Sequence, residues 1–169
     1  MNNNNSYKKS KGHNNHNDSS PKEQIKSSDY VELNDTNYVD CAEKAIKSLE
    51  QYKDKKGNPQ VISTHQIRKI LSLNSEIYNN VINSVNSVEQ GKLTGEIIGR
   101  INYLKVRILY DCGRDEKVGD FVKKSHLKEH IENVVTKEED QKKNYLLFSQ
   151  YLEALVAFRY YVYGKDENK

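Results

Sequence analysis

Two groups of residues in this 169-residue chain stand at spacings that could do chemistry. The first is His126-Leu127-Lys128-Glu129-His130, the pattern H-x-x-E-H. On a helix, histidines four apart share a face and can offer two imidazole nitrogens to a zinc ion. Glu129 would sit beside them as the base that takes a proton from metal-bound water. A third ligand is needed, and Glu132 is poorly placed to be one, while Glu138, Glu139 and Asp140 fall in an expected loop. The segment therefore reads as two surface histidines on an amphipathic helix, with a small zinc hydrolase as the alternative. His13 and His16 stand in an unpatterned stretch and make a poor metal site.

The second group is Arg100, Tyr103, Arg107, Tyr110 and Arg114, at intervals of three, four, three and four. Such intervals place all five on one stripe of a helix, about a quarter-turn from the apolar stripe Ile97, Ile101, Leu104 and Ile108. Guanidinium groups pair with phosphates and tyrosine rings stack on bases or ribose, so this is nucleic-acid chemistry without a sequence code. Four of the five arginines (Arg68, Arg100, Arg107 and Arg114) fall on the second and third expected helices. Lys123, Lys124 and Lys128 read as plain surface charges. Other templates fail. Gly91-Lys92 resembles the end of a phosphate loop, but Asn86 stands where the first glycine belongs and Leu93 where Ser or Thr belongs. No C-x-x-C or G-x-S-x-G occurs, and neither Cys41 nor Cys112 has a histidine beside it in sequence. No cofactor, metal or catalytic residue is expected.

The elements that must position these residues follow from hydropathy. Residues 1–36 hold six apolar side chains and read as a disordered, Asn-rich tail. Residues 37–169 hold 53 of the 59 apolar residues and can bury a core. The tail is charge-balanced, so the net +3 belongs to the folded part and permits a local basic patch. No uncharged run approaches the ~20 residues of a membrane helix. The N-terminus lacks an apolar signal segment, which points to reduced thiols in a cytoplasm.

A first helix is expected from a cap at Thr36 or Asn37, carrying Tyr38 through Tyr52 and broken by Gly57-Asn58-Pro59. Ser63 and Gln66 form a capping box for the second, with Ile62 placed to staple onto Ile67. A polar linker, 84–93, leads to Thr94 as the cap of the third, with Gly113 as its stop. A short helix about Val118–Val122 follows, then one capped by Ser125, then a last apolar helix over 139–163 ended by Gly164. Period-two alternation is missing. The fold class is all-α: a single bundle of about five helices, 37–169, behind the tail.

Four segments in register resemble the small subunit of type III-A CRISPR effector complexes, the Csm family. They are Asn37–Asp40 with Ala42-Glu43 and Ala45-Ile46; Thr64–Leu73; Tyr103–Arg107 leading into Tyr110–Arg114; and Phe148–Phe158 closed by Tyr163–Asp166. Together they span about residues 37–166. The resemblance implies a helical, non-catalytic protein stacked in several copies as an inner filament. It would lie beside the backbone subunits and the large subunit, lining the channel of the guide–target RNA duplex without reading its sequence. It carries over Arg68, Lys69, Lys105 and Arg114 as RNA-binding positions, while Arg100 and Arg107 come from the stripe. The long Asn-rich tail departs from the family pattern. So does the stretch Asn79–Leu93, where Lys92 is the one base, and the family pattern requires no histidine at 126–130. The rival readings are a helical scaffold that never touches RNA, and the zinc hydrolase.

Overall fold

The computed structural model describes Met1 and residues 30–53, 55–83 and 91–164. His13 and His16, most of the expected tail and most of the 84–93 linker lie outside the described residues. Among the described residues, six α-helices follow in order: α1 (Tyr38–Lys47), α2 (Thr64–Asn83), α3 (Gly95–Arg114), α4 (Glu116–Lys124), α5 (Leu127–Thr136) and α6 (Gln141–Tyr163). A 3₁₀ turn, Ser48–Gln51, extends α1. The all-α bundle is as expected, with six helices where periodicity suggests about five.

Capping chemistry explains most boundaries. In α2 the capping box is made on both sides: Ser63 N–H donates to Gln66 Oε1 (2.9 Å) and Gln66 N–H to Ser63 Oγ (3.2 Å). Thr94 Oγ1 accepts from Ile97 N–H and opens α3. Gly164, at φ +69°, ends α6 in a left-handed conformation that favours glycine.

Three boundaries differ from expectation. Asn37 is the N-cap of α1, but its side chain makes no cap bond to the helix. Asn34 Oδ1 instead accepts from the N–H groups of Thr36 and Asn37 (both 2.9 Å), a local turn that orients the chain entering α1. Gly113 stays helical and does not stop α3; Asp115 does. The Asp115 N–H closes on Asp111 O (3.0 Å), while its carboxylate accepts Lys117 N–H (2.9 Å) and starts α4. Ser125 does not cap α5. Its hydroxyl donates back to Phe121 O (2.7 Å) and ends α4, and His126, at φ +48°, becomes the N-cap of α5 with no side-chain cap bond.

The centre of the bundle is α6, flanked by α1, α2 and α5, while α3 packs on α2, α4 and α5. Tyr145, Phe148, Tyr151, Leu152 and Leu155 of α6 meet Ile46 of α1, Ile67 and Ile70 of α2, and Leu127 and Ile131 of α5 in one core. A buried polar peg fixes α2 against α6. Asn74 Nδ2 donates to Ser149 Oγ (3.1 Å), and Tyr145 Oη donates to Asn74 Oδ1 (3.0 Å). Tyr30 to Thr36, assigned by composition to the tail, lies against α5 and α6. The Tyr30 hydroxyl meets Asn133 and His130, Glu32 pairs with Lys137, and Asp35 lies 3.5 Å from Lys143. The packed structure therefore reaches back at least to Tyr30. Among the described residues, no helix is long and apolar enough to cross a membrane.

Candidate nucleic-acid interface

The two faces of α3 are sharply divided. Ile97, Ile101, Leu104 and Ile108 turn inward and are buried. Arg100, Tyr103, Arg107, Tyr110 and Arg114 occupy the other side, with Tyr103 at 60% and Tyr110 at 54% of full exposure. Tyrosines that open to solvent do not complete the core, so the stripe stands as a surface. The Tyr110 ring is flanked by both arginines: the guanidinium carbon of Arg107 lies 5.7 Å from its centroid and that of Arg114 5.4 Å. Cation–π contact holds the two cations out from the helix without neutralising them. Among the described residues, neither is in an ion pair.

The antiparallel partner α2 adds to this end of α3. Lys69 Nζ pairs with both oxygens of Asp111 (2.8 and 3.1 Å), and Asp111 is four residues from Arg107 and three from Arg114. The structure thus gathers Lys69, Arg107 and Arg114 at one place. Gln66 Nε2 ties the same helix ends together by donating to Asp115 Oδ2 (2.7 Å).

The other expected residues lie apart. Arg68 turns toward α6 and stacks over Tyr160 (5.1 Å). Arg100, about two turns before Arg107, pairs with Glu96 (3.0 Å). Lys105 faces α5, half-buried, 3.7 Å from Glu132, which Lys128 also approaches at 3.6 Å. Lys105 and Arg107 therefore serve different sides of α3. Val106, which the arginine–tyrosine stripe does not include, is 57% exposed. Its signal was its spacing, three from Tyr103 and four from Tyr110, which puts an apolar side chain among the cations.

The H-x-x-E-H segment has a different fate. Its histidines are not a surface pair: His126 precedes the helix in a left-handed conformation, and His130 is only 5% exposed. The His130 ring packs between Tyr30 (5.1 Å) and Tyr151 (5.0 Å), and its Nδ1 lies 3.3 Å from the Tyr30 hydroxyl. Burial lowers its pKa to about 4, helped by the neighbouring His126 and opposed by Glu32. Burial, with Glu32 and Glu129, pushes the Tyr30 hydroxyl up to about 12, so it stays protonated at neutral pH. Among the described residues, no three His, Cys, Asp or Glu side chains are grouped to hold a metal ion. Cys41 and Cys112 are free, half-buried thiols, each raised in pKa first by burial.

Comparison with known proteins bears on this arrangement. The family model for type III-A Csm2 matches residues 37–165. A protein of Streptococcus thermophilus called CRISPR system Cms protein Csm2 is 38% identical over 134 residues, 79% of this chain and 98% of that protein. Proteins of the same name from Enterococcus italicus and from Mycobacterium tuberculosis H37Rv are 29% and 32% identical. They cover 75% and 67% of this chain, and 88% and 85% of their own length. The match spans all six helices, with the arginine–tyrosine face of α3 inside it: the chain belongs to the Csm2 family, the small subunit of the type III-A CRISPR Csm complex.

Proposed function

We propose that this chain is a non-catalytic, cytoplasmic subunit of the inner filament of its complex, and that the outer face of α3 grips the RNA backbone. The observation that carries the reading is the array Arg107–Tyr110–Arg114: two unneutralised guanidiniums held on an exposed ring. Phosphates of the guide or target strand would take the place that carboxylates leave empty, and Tyr103 would offer a further stacking surface. None of these groups reads a base edge, so sequence choice stays with guide–target pairing. Arg100, which would exchange Glu96 for a phosphate, extends the track toward the start of α3. Lys69 completes the cluster at its end. Arg68 and Lys105 would contribute from the α6 and α5 sides, each by leaving an intramolecular partner. Tyr103 and Val106, exposed beside the cations, also suit packing against another copy of the chain or the backbone subunit.

Salt titration of RNA binding tests the reading. On single-stranded RNA, replacing Arg100, Arg107 and Arg114 together by Ala should flatten the log K against log salt slope by about 2, at about 0.7 per lost contact. The loss should be equal for unrelated sequences. The rival, a scaffold that spaces its partners without touching RNA, draws on the ion pairs that occupy Lys69 and Lys105. It predicts that the triple variant assembles and binds RNA as the parent does.

A further inference from the structure

A cavity of about 270 Å³ opens where α1, α4 and the start of α5 meet, away from the RNA face proposed for α3. Its inner wall holds Cys41 and Ala45 from α1, the His130 imidazole from α5 and the Tyr151 ring from α6, with Cys41 the most accessible of the four. Its rim is cationic, with Lys44 from α1 and Lys123 and Lys124 from the end of α4. Among the described residues, none of these three lysines is in an ion pair. Lys124 leans over Tyr52 at 5.8 Å, and Asp120, three and four residues before Lys123 and Lys124, is the nearby acid that both attract. His126 also lines the cavity. It marks the start of α5, a ten-residue helix that begins without a side-chain cap. The positive end of that helix dipole therefore adds to the field of the lysines.

We infer that this cavity binds a nucleoside monophosphate, with the phosphate on Lys44, Lys123 and Lys124 and the base against Cys41, Ala45 and Tyr151. The choice of anion follows from the donors. Flexible ammonium groups gather around a phosphate as point charges, whereas carboxylate recognition favours the planar fork of arginine. None of the five arginines lines this cavity. The size sets the rest. The volume lies just below the roughly 300–1,000 Å³ of ordinary small-ligand sites, room for one nucleotide and not for two. A bare phosphate would leave the inner wall uncovered, and a bare nucleoside would bring no charge to the lysines. The nucleotide comes either from the free pool or from one unstacked position of an RNA strand.

Equilibrium dialysis of the full chain with adenosine 5′-monophosphate tests this. Binding should saturate, and adenosine and inorganic phosphate should each bind at least about tenfold more weakly. Lys44→Glu with Lys124→Glu should lower affinity by at least about tenfold, with an unchanged circular-dichroism spectrum. Cys41 gives an independent readout. In a Cys112→Ser chain, the nucleotide should slow modification of Cys41 by a thiol reagent, and the lysine reversals should remove that protection. An unchanged Cys41 rate, or reversals that bind the nucleotide like the parent, overturns the inference. A single-stranded RNA oligomer then separates the sources. If it displaces the mononucleotide and itself binds more weakly to the reversed chain, the occupant is a strand nucleotide. If the mononucleotide binds and the oligomer does not displace it, the occupant is a free nucleotide.

Discussion

On α3, the residues that sequence marks for chemistry remain at the surface: Arg107 and Arg114 flank an exposed Tyr110 and, among the described residues, are in no ion pair. On α5, the residues so marked are taken inside: His130 is closed between Tyr30 and Tyr151. Both helices carry polar groups at helical intervals, and interval alone does not separate them. What separates them is the neighbour. The outer side of α3 has none among the described residues, whereas α5 is covered by residues 30–36 and backed by α6. A polar side chain covered in this way must find a partner and lose its charge, and one left open keeps its charge for something else.

The largest effect should come from α5. His130 has a folded pKa of about 4, below the ~6.5 of an unfolded histidine. The unfolded chain therefore takes up a proton as pH falls through 6.5, while the folded chain resists until about 4. Stability contributed by the neutral, buried ring is fully present above pH 6.5 and is lost progressively down to pH 4, by about 3 kcal/mol in all. The groups facing the ring are Tyr30, Tyr151 and His126, with Cys41, Lys44, Lys123 and Lys124 around the cavity that it lines and Glu32 as the acid that favours the proton. Urea unfolding from pH 7 to pH 4 measures this, against a His130→Leu chain that removes the titration. The difference between the two curves should change with pH in that window. If they run parallel, His130 is not closed off from water, and the contrast with α3 collapses.

Next in size is the response of α3. Arg107→Ala with Arg114→Ala should lower affinity for any single-stranded RNA by about tenfold at moderate salt, since two phosphate partners are lost together. Stability should change by less than about 0.5 kcal/mol, because neither arginine is packed in the core. An RNA loss accompanied by a stability loss of several kcal/mol would mean that the stripe is structural after all.

Much of this was readable before the fold. The apolar stripes of α2 and α3 found the core, and Ser63, Gln66 and Thr94 found two helix starts, because these signals are local. The failures were tertiary. Ser125 and Asp115 can each serve the end of one helix or the start of the next, and the close abutment of α3, α4 and α5 decides which. Tyr30 sits in a stretch too polar to bury itself, and its partners, His130 and Asn133, are about a hundred residues away. The inward turn of His130 follows from that same contact. Lys69 and Lys105 look alike in sequence as bases on amphipathic helices. Only the pairing of α2 with α3, and of α3 with α5, gives each its own carboxylate.

Those carboxylates supply the smallest and most discriminating prediction. Asp111 neutralises Lys69 within the cluster that holds Arg107 and Arg114. Its pair with Lys69 is partly exposed, so breaking it should cost less than about 1 kcal/mol of stability. Asp111→Asn keeps the shape, frees the ammonium and removes a negative charge from beside the two guanidiniums. If this end of α3 faces RNA, affinity should rise about two- to threefold and the salt slope should steepen by about 0.7, one further phosphate contact. Glu132→Gln is the matched change on the α5 side, where it frees Lys105. An increase with Asp111→Asn alone would confine the RNA track to the α2–α3 end. An increase with both would extend it across α3 to α5, and an increase with neither would leave Lys69 and Lys105 as struts between helices.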